Sequence, residues 1–343
     1  MSELHVDTLS SAERVRVASD MGYFPVAVVT KDGAILVVFR AGAGHMGRDG
    51  YLVSSRSEDG GRTWSKPVVV VNTRSYDDRN PAVGVAQDGT VVVTYHANGM
   101  YGADGKYMTD RRTPKALHTG RVLSTNHGRS WGEPMLWTDQ TPWDSQSPYG
   151  SMLTLEDGRM AMPIYLEKTW LLWSRDNGRT WGEHQLVADD INETAYCVLL
   201  SGGWLLVGRS NRDKEQSSFV RSSPDGKTWS EPRPFFGGTR HPSDLAVLGD
   251  GSVLCVFGYR NEPCGARARR STDGGMTWSD VELVVHDKAT TGDCGYPSAV
   301  RWNGWVVMFY YDASKASLFA YDGTGCVVEC VRVREDELIA AVR

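Results

Sequence analysis

The stretch "SRDNGRTW", residues 174–181, brings a serine, an aspartate, a glycine, a threonine and a tryptophan together within eight residues. An Asp side chain bonds backbone N–H groups a little further along the chain, and Gly takes a positive φ that other residues resist. An indole needs apolar neighbours to cover it. The stretch therefore reads as a tight turn at the end of a strand, fastened to the next layer by its tryptophan. Four variants occur elsewhere: "SEDGGRTW" from Ser57, "STNHGRSW" from Ser124, "SSPDGKTW" from Ser222 and "STDGGMTW" from Ser271. After a wider first gap they recur roughly every fifty residues, a period typical of repeat architectures. Asp59, Asp176 and Asp273 are thus expected to be structural, not catalytic.

A second repeat is interleaved with the first: "TKDGAILVVF", "AQDGTVVVTY", "LEDGRMAMPI", "LSGGWLLVGR", "LGDGSVLCVF" and "RWNGWVVMFY". Each predicts a hairpin, two apolar runs joined by a two-residue Asp-Gly, Gly-Gly or Asn-Gly turn. Six hairpins, each followed by strand and turn, predict an all-β chain: one six-bladed β-propeller of four-stranded antiparallel blades over residues 1–343. No segment sustains a helical apolar stripe. The β-patterned segments "ERVRVAS" and "CVVECVRVR" are expected to close the ring by joining the last blade to the first.

Composition narrows the function. The 343 residues carry a formal charge of -5 with acids and bases interspersed, so no basic stripe points to nucleic acid or a membrane surface. No run is long and apolar enough to span a bilayer. The opening "MSELHVDTLSSAERVRV" lacks the pattern of a secretory leader, so a cytoplasmic location is expected. The six cysteines show no metal-binding spacing and are expected to be buried and reduced. The acidic pairs Asp77-Asp78 and Asp189-Asp190 read as solvated loop, and no metal or cofactor is expected.

Residues flanking the hairpins collect at one end of the axis and form a candidate cup. Those before the first strands are Tyr23, Asp78, Arg79, Tyr149, Asn192, Glu193, Arg240, His241, Asp244 and Tyr296. Those after the second strands are Arg40, His96, Tyr165, Arg209, Tyr259 with Arg260, and Tyr311. The set is polar and aromatic where the strands between are apolar, which suits a sugar-type ligand.

Boxes of the form S-x-D-x-G-x-T-W spaced through a propeller resemble the Asp-box repeats of the sialidase (neuraminidase) superfamily, over nearly the whole chain. The resemblance implies a tyrosine nucleophile at Tyr296 in its Gly-Tyr-x-Ser context, with Glu193 as its activating carboxylate. It implies Asp49, on the loop after the first hairpin, as acid/base. It also implies carboxylate-clamping arginines at Arg209 and Arg267, with Arg269 or Arg270 as alternatives in a loose register. A phenol ionises near pH 10 and needs such a base to attack at neutral pH. The first clamp arginine and its supporting glutamate are replaced by Tyr23 and Tyr311, a paired loss that avoids stranding a buried carboxylate.

Three functions fit this reading. One is a sialidase-like exo-glycosidase for an acidic or modified sugar, using Tyr296, Glu193 and Asp49, with Arg209, Arg267, Arg79, His241, Arg40, Tyr23 and Tyr311 around the substrate. The second is a β-eliminating lyase on a uronate-containing glycan, with His241, His96 or His45 moving the proton. The third is a non-catalytic carbohydrate-binding propeller. The expected partner in each case is a glycan or small sugar.

Overall fold

The computed structural model describes residues 2–108, 117–137, 146–166, 168–210, 218–235, 237–316 and 324–343. Six sheets surround one axis as the blades of a β-propeller. Blade one comprises Tyr23–Val29, Ile35–Ala41, Tyr51–Ser57 and Val68–Val71. The innermost strands of blades two, four, five and six are Asp77–Val85, Ile191–Val198, Arg240–Val247 and Cys294–Trp302. In blade three the inner path is broken into Ser147–Pro148, Gly150–Ser151 and Leu153–Thr154.

The ring closes as the terminal patterns predict. Glu13–Ser19 pairs antiparallel with Val327–Arg334, Glu13 opposite Arg332 and Ser19 opposite Val327, and so supplies the fourth strand of blade six. Three sheets hold five strands, blade three because its inner path is split and two others through an added edge. Ser2–His5 adds a parallel edge to blade five, and Gly150–Ser151 pairs parallel with the inner strand of blade two.

The hairpin turns differ from expectation in length. In the first five hairpins the loop has three residues, with the bond from Gly33 N–H to the Thr30 carbonyl and from Thr30 N–H to the Ala34 carbonyl as the type case. The extra residue is the glycine itself, which takes φ +84° at Gly33 and Gly251 and bulges the ladder out of the turn. Only Asn303-Gly304 forms the two-residue turn, Trp302 pairing directly with Trp305.

The boxes are turns built around one side chain, a carboxylate in four of them and the Asn126 amide in the second. At Asp176 the Ser174 hydroxyl donates to Oδ1 at 2.8 Å, Thr180 N–H to Oδ1 at 2.8 Å and the Thr180 hydroxyl to Oδ2 at 2.6 Å. Ser174 Oγ in turn accepts from Gly178 N–H. The fourth box starts at Ser223, not Ser222, and is one residue shorter: Ser223 Oγ bonds Asp225 and accepts from Gly226 N–H.

Each box tryptophan points into the joint with the preceding blade. Trp64, Trp131, Trp181, Trp229 and Trp278 border the apolar clusters between blades six and one, one and two, two and three, three and four, and four and five. The joint between blades five and six has no box. There the chain ends in a short helix, Glu335–Ala341, whose fully buried Leu338 enters the cluster with Val6, Leu254 and Val306. Glu335 ties it down, accepting from Gly249 N–H at 2.7 Å and from Arg301 Nε at 2.6 Å. The helix fills the place that a sixth tryptophan would take.

That substitution is testable. Leu338→Ala is expected to destabilise the protein by about 2–4 kcal/mol, and Ile339→Ala, at a partly buried position, by less than half of that. Denaturant midpoints at constant slope measure both.

Candidate active site

The inner strands break register at one height. Two residues oppose one between Tyr23 and Val26, Arg79 and Ala82, Asn192 and Ala195, Arg240 and Ser243, and Gly295 and Ser298. The displaced residues are Phe24, Asn80, Glu193, His241 and Tyr296. Four of them take positive φ: Phe24 57°, Asn80 48°, Glu193 39° and Tyr296 41°. Such angles cost a bulky residue roughly 1–3 kcal/mol and are kept where a side chain must be re-aimed. Here the bulges turn their side chains toward the axis.

Two of these residues meet. The Tyr296 hydroxyl donates to Glu193 Oε1 at 2.5 Å, and Arg209 Nη1 donates to Glu193 Oε2 at 2.7 Å. The Arg260 guanidinium lies over the Tyr296 ring, 5.4 Å from its centroid, with no hydrogen-bond acceptor among the described residues. Burial alone would push the Glu193 carboxyl up. Arg209, the Tyr296 hydroxyl and Arg260 more than offset it and hold it below the usual carboxylate range. The Tyr296 phenol moves the other way: burial raises it, Glu193 adds to this, and Arg260 only partly opposes. At neutral pH the pair is a protonated phenol bonded to a carboxylate, poised to pass one proton.

Two histidines of the predicted cup are held neutral at pH 7, of which His241 interacts with Glu193. Burial, then Arg209 and Arg260, bring His241 down to about 3. Burial and Arg79 bring His96 down to about 4.

An aromatic wall stands on one side of Tyr296. Tyr23 and Tyr311 are both fully buried, with ring centroids 5.0 Å apart, and Phe24 lies 4.8 Å from Tyr296. The Tyr311 hydroxyl donates to Asp293 Oδ1 at 2.6 Å, and His45 Nδ1 lies 2.8 Å from the same oxygen. The paired replacement seen in the sequence is therefore a packed unit, and it brings a carboxylate, Asp293, close behind it.

The other predicted residues separate. Arg79 reaches the cup, its guanidinium 5.4 Å from the Phe24 ring centroid and 3.8 Å from Asp77. Arg40 does not present itself to a ligand: it is fully buried and donates to the carbonyls of Gly44, His45 and Gly47 and to Asp77 at 2.6 Å. It pins the loop over residues 42–50 to blade two. Arg267 is also buried, donating to the His286 carbonyl and stacking on Tyr259 at 4.6 Å, and Arg269 and Arg270 pair with Glu282 and Asp250. None of the three touches Tyr296 or Glu193, and Arg260 occupies that place. Asp49 is exposed on its loop. Asp77 and Asp78 are buried rather than solvated, because Arg40 and Tyr101 satisfy the first and Thr73 the second.

Sequence reading assigned no role to Asp293 or Phe24 and left Arg260 unassigned. A proline follows four of the five displaced residues: Phe24-Pro25, Asn80-Pro81, His241-Pro242 and Tyr296-Pro297. Proline inside a strand marks a bulge, and that signal singles out Phe24. All six cysteines are buried and free. Among the described residues no helix is long and apolar enough to cross a membrane.

A family model for the BNR repeat-like domain matches residues 33–308. Among curated proteins, a sialidase of Bacteroides fragilis (strain YCH46) is 24% identical over 186 residues, which is 49% of this chain and 34% of that protein. The chain thus spans about a third of the length of that curated relative. Among solved structures, a protein of unknown function from Dyadobacter fermentans DSM 18053 gives a TM-score of 0.77 at 23% identity, covering 95% of this chain and 100% of that one. The Hadza microbial sialidase Hz136 gives 0.73 at 20%, covering 94% and 67%. Trypanosoma rangeli sialidase in complex with the inhibitor DANA gives 0.71 at 14%, covering 96% and 60%. At these identities the likeness is one of fold.

The electrostatics of the pair predict a pH-dependent cost. Arg209→Met is expected to destabilise the protein by about 2–4 kcal/mol at pH 7, below the range for a fully buried broken pair because Arg209 is partly open to solvent. Glu193 sits below its ordinary value in the fold, so the stability it derives from Arg209 is present above pH 4.5 and lost as pH falls through its lowered pKa. The gap between wild type and variant in urea unfolding should hold from pH 7 to about pH 4.5 and narrow below that, as Glu193 is protonated.

Proposed function

Because the chain belongs to the BNR repeat-like family within the sialidase superfamily, we propose that its cup hydrolyses a terminal glycosidic bond of an acidic or modified sugar. The observation that carries this reading is the bond between the Tyr296 hydroxyl and Glu193, with Arg209 and Arg260 flanking it. Glu193 takes the phenolic proton as Tyr296 Oη bonds to the anomeric carbon and the bond to the aglycone breaks. The departing oxygen takes a proton from the loop over residues 42–50. Water then attacks the same carbon and returns its proton to that loop, the carbon–Oη bond breaks, and Tyr296 recovers its proton from Glu193. Two inversions give net retention.

A neutral phenol suits an acidic sugar, because an anionic nucleophile would be repelled by the substrate's own carboxylate. Arg209, Arg260 and Arg79 supply positive charge around it. Tyr23 and Tyr311, both fully buried, stand where the resemblance puts a clamping arginine and its glutamate, so the carboxylate of ordinary sialic acid would find no guanidinium from that position.

Mass analysis of products from sialylated, uronate-containing and neutral glycans tests the reading. Wild type should release a monosaccharide heavier by one water, and Tyr296→Phe should reduce that rate on the order of 10²–10⁴-fold. Unsaturated products without the added water would establish β-elimination instead. Binding without any product would establish a lectin-like propeller.

A further inference from the structure

Two candidates for the proton donor share the loop over residues 42–50, and their surroundings differ. Asp49 is exposed, and its carboxylate has no hydrogen-bond or ion-pair partner among the described residues. His45 turns inward. Its ring stands at 90° to Phe24 with centroids 5.0 Å apart, and its centroid lies 6.5 Å from that of Tyr296. A quarter of the side chain, 25%, remains open to solvent.

Behind His45 stands Asp293. Its Oδ1 is 2.8 Å from His45 Nδ1 and also accepts from the Tyr311 hydroxyl. A carboxylate on one ring nitrogen fixes the tautomer and leaves the other nitrogen for chemistry. Nε2 is that nitrogen, and no described residue binds it. The backbone is held as firmly as the ring: Arg40 donates to the His45 carbonyl at 2.9 Å and to the Gly47 carbonyl at 2.9 Å, and Gly47 N–H donates to the Tyr101 hydroxyl at 2.9 Å. A donor on so fixed a loop needs no rearrangement to meet a sugar oxygen above Tyr296.

We infer that His45, oriented by Asp293, is the proton-transferring residue of this site, in place of Asp49. The inference rests on the hydrolase reading above. In the first half-reaction Nε2–H gives its proton to the aglycone oxygen as the anomeric bond breaks. In the second, the neutral Nε2 takes a proton from the attacking water as the carbon–Tyr296 bond breaks, which restores the imidazolium.

The groups facing the imidazole are Asp293, Tyr296 and Tyr311 from blade six, Tyr23, Phe24 and Arg40 from blade one, and Arg79 from blade two. Burial, Arg79 and Arg40 lower its pKa, Asp293 raises it, and the balance lies below the ordinary 6.5. The donor form therefore fades as pH rises through that lowered value, and the first half-reaction should slow on that alkaline side.

The test compares wild type, His45→Gln, Asp293→Asn and Asp49→Asn on 2,4-dinitrophenyl and 4-methylumbelliferyl glycosides of N-acetylneuraminic acid, glucuronic acid and neutral hexoses, with and without azide. His45→Gln should lose about 100-fold or more on the 4-methylumbelliferyl glycoside. Its loss in releasing the dinitrophenolate, which leaves without a proton, should be under about tenfold. Azide, which needs no base, should accelerate turnover of the variant and appear in a glycosyl azide. Asp293→Asn should show the same pattern more weakly. Equal losses on both leaving groups, or azide rescue in Asp49→Asn in place of His45→Gln, would overturn the assignment while leaving the hydrolase intact. If wild type turns over none of these glycosides, or yields unsaturated sugars, the hydrolase reading falls and this assignment with it.

Discussion

The cup depends on a backbone constraint. Five inner strands give up their ladder at the same height, each placing two residues opposite one, and the displaced residues face the axis. A regular strand alternates its side chains between the two blade joints, so it cannot aim Glu193 and Tyr296 along the axis. The bulge does so at the expense of positive φ at both residues. The surrounding blades over-determine that geometry, because every strand is locked between apolar clusters on its two sides. Strain at the centre is held by packing at the joints.

The same division of labour explains why so few of the charged residues serve the cup. Buried guanidiniums are costly unless paired, and Arg40, Arg267, Arg269 and Arg270 each bond carbonyls or carboxylates of the scaffold. Arg209 is shared between Glu193 and the open cup. Among the described residues Arg260 bonds neither a carbonyl nor a carboxylate with its side chain and rests on an aromatic face, the arrangement of a cation that keeps its hydrogen-bonding capacity for a ligand.

The fold was legible because its signals are local. A turn box or an Asp-Gly hairpin declares itself within eight to ten residues, and the repetition of both fixes the blade number. Where sequence reading fell short, the missing information was three-dimensional. The helix Glu335–Ala341 has no box pattern, yet it does a box's work because the joint between blades five and six must be filled. In the candidate site, Tyr296, Glu193 and Arg209, singled out by a short motif context and a shared hairpin position, do meet in the fold. Arg267 lies within the strand Cys264–Ser271 and is buried in the scaffold, whereas Arg260 sits just past the end of Val253–Tyr259 over the Tyr296 ring, and spacing to the next box does not record that difference. Asp293 carried no motif; its role is visible only through the three side chains, His45, Tyr311 and Tyr23, that assemble around it.

The closure of the ring sets an order of events during folding. Glu13–Ser19 finds its partner only in Val327–Arg334, more than three hundred residues away along the chain. Until that strand leaves the ribosome, blade six lacks an edge and the cluster between blades six and one lacks Val328 and Cys330. Blades one to five can form their sheets as they are made, but Tyr296 comes from the blade completed last. Tyr296 and Glu193 therefore come together only once blade six is complete, and a chain stalled before that point holds Glu193 in a half-built cup.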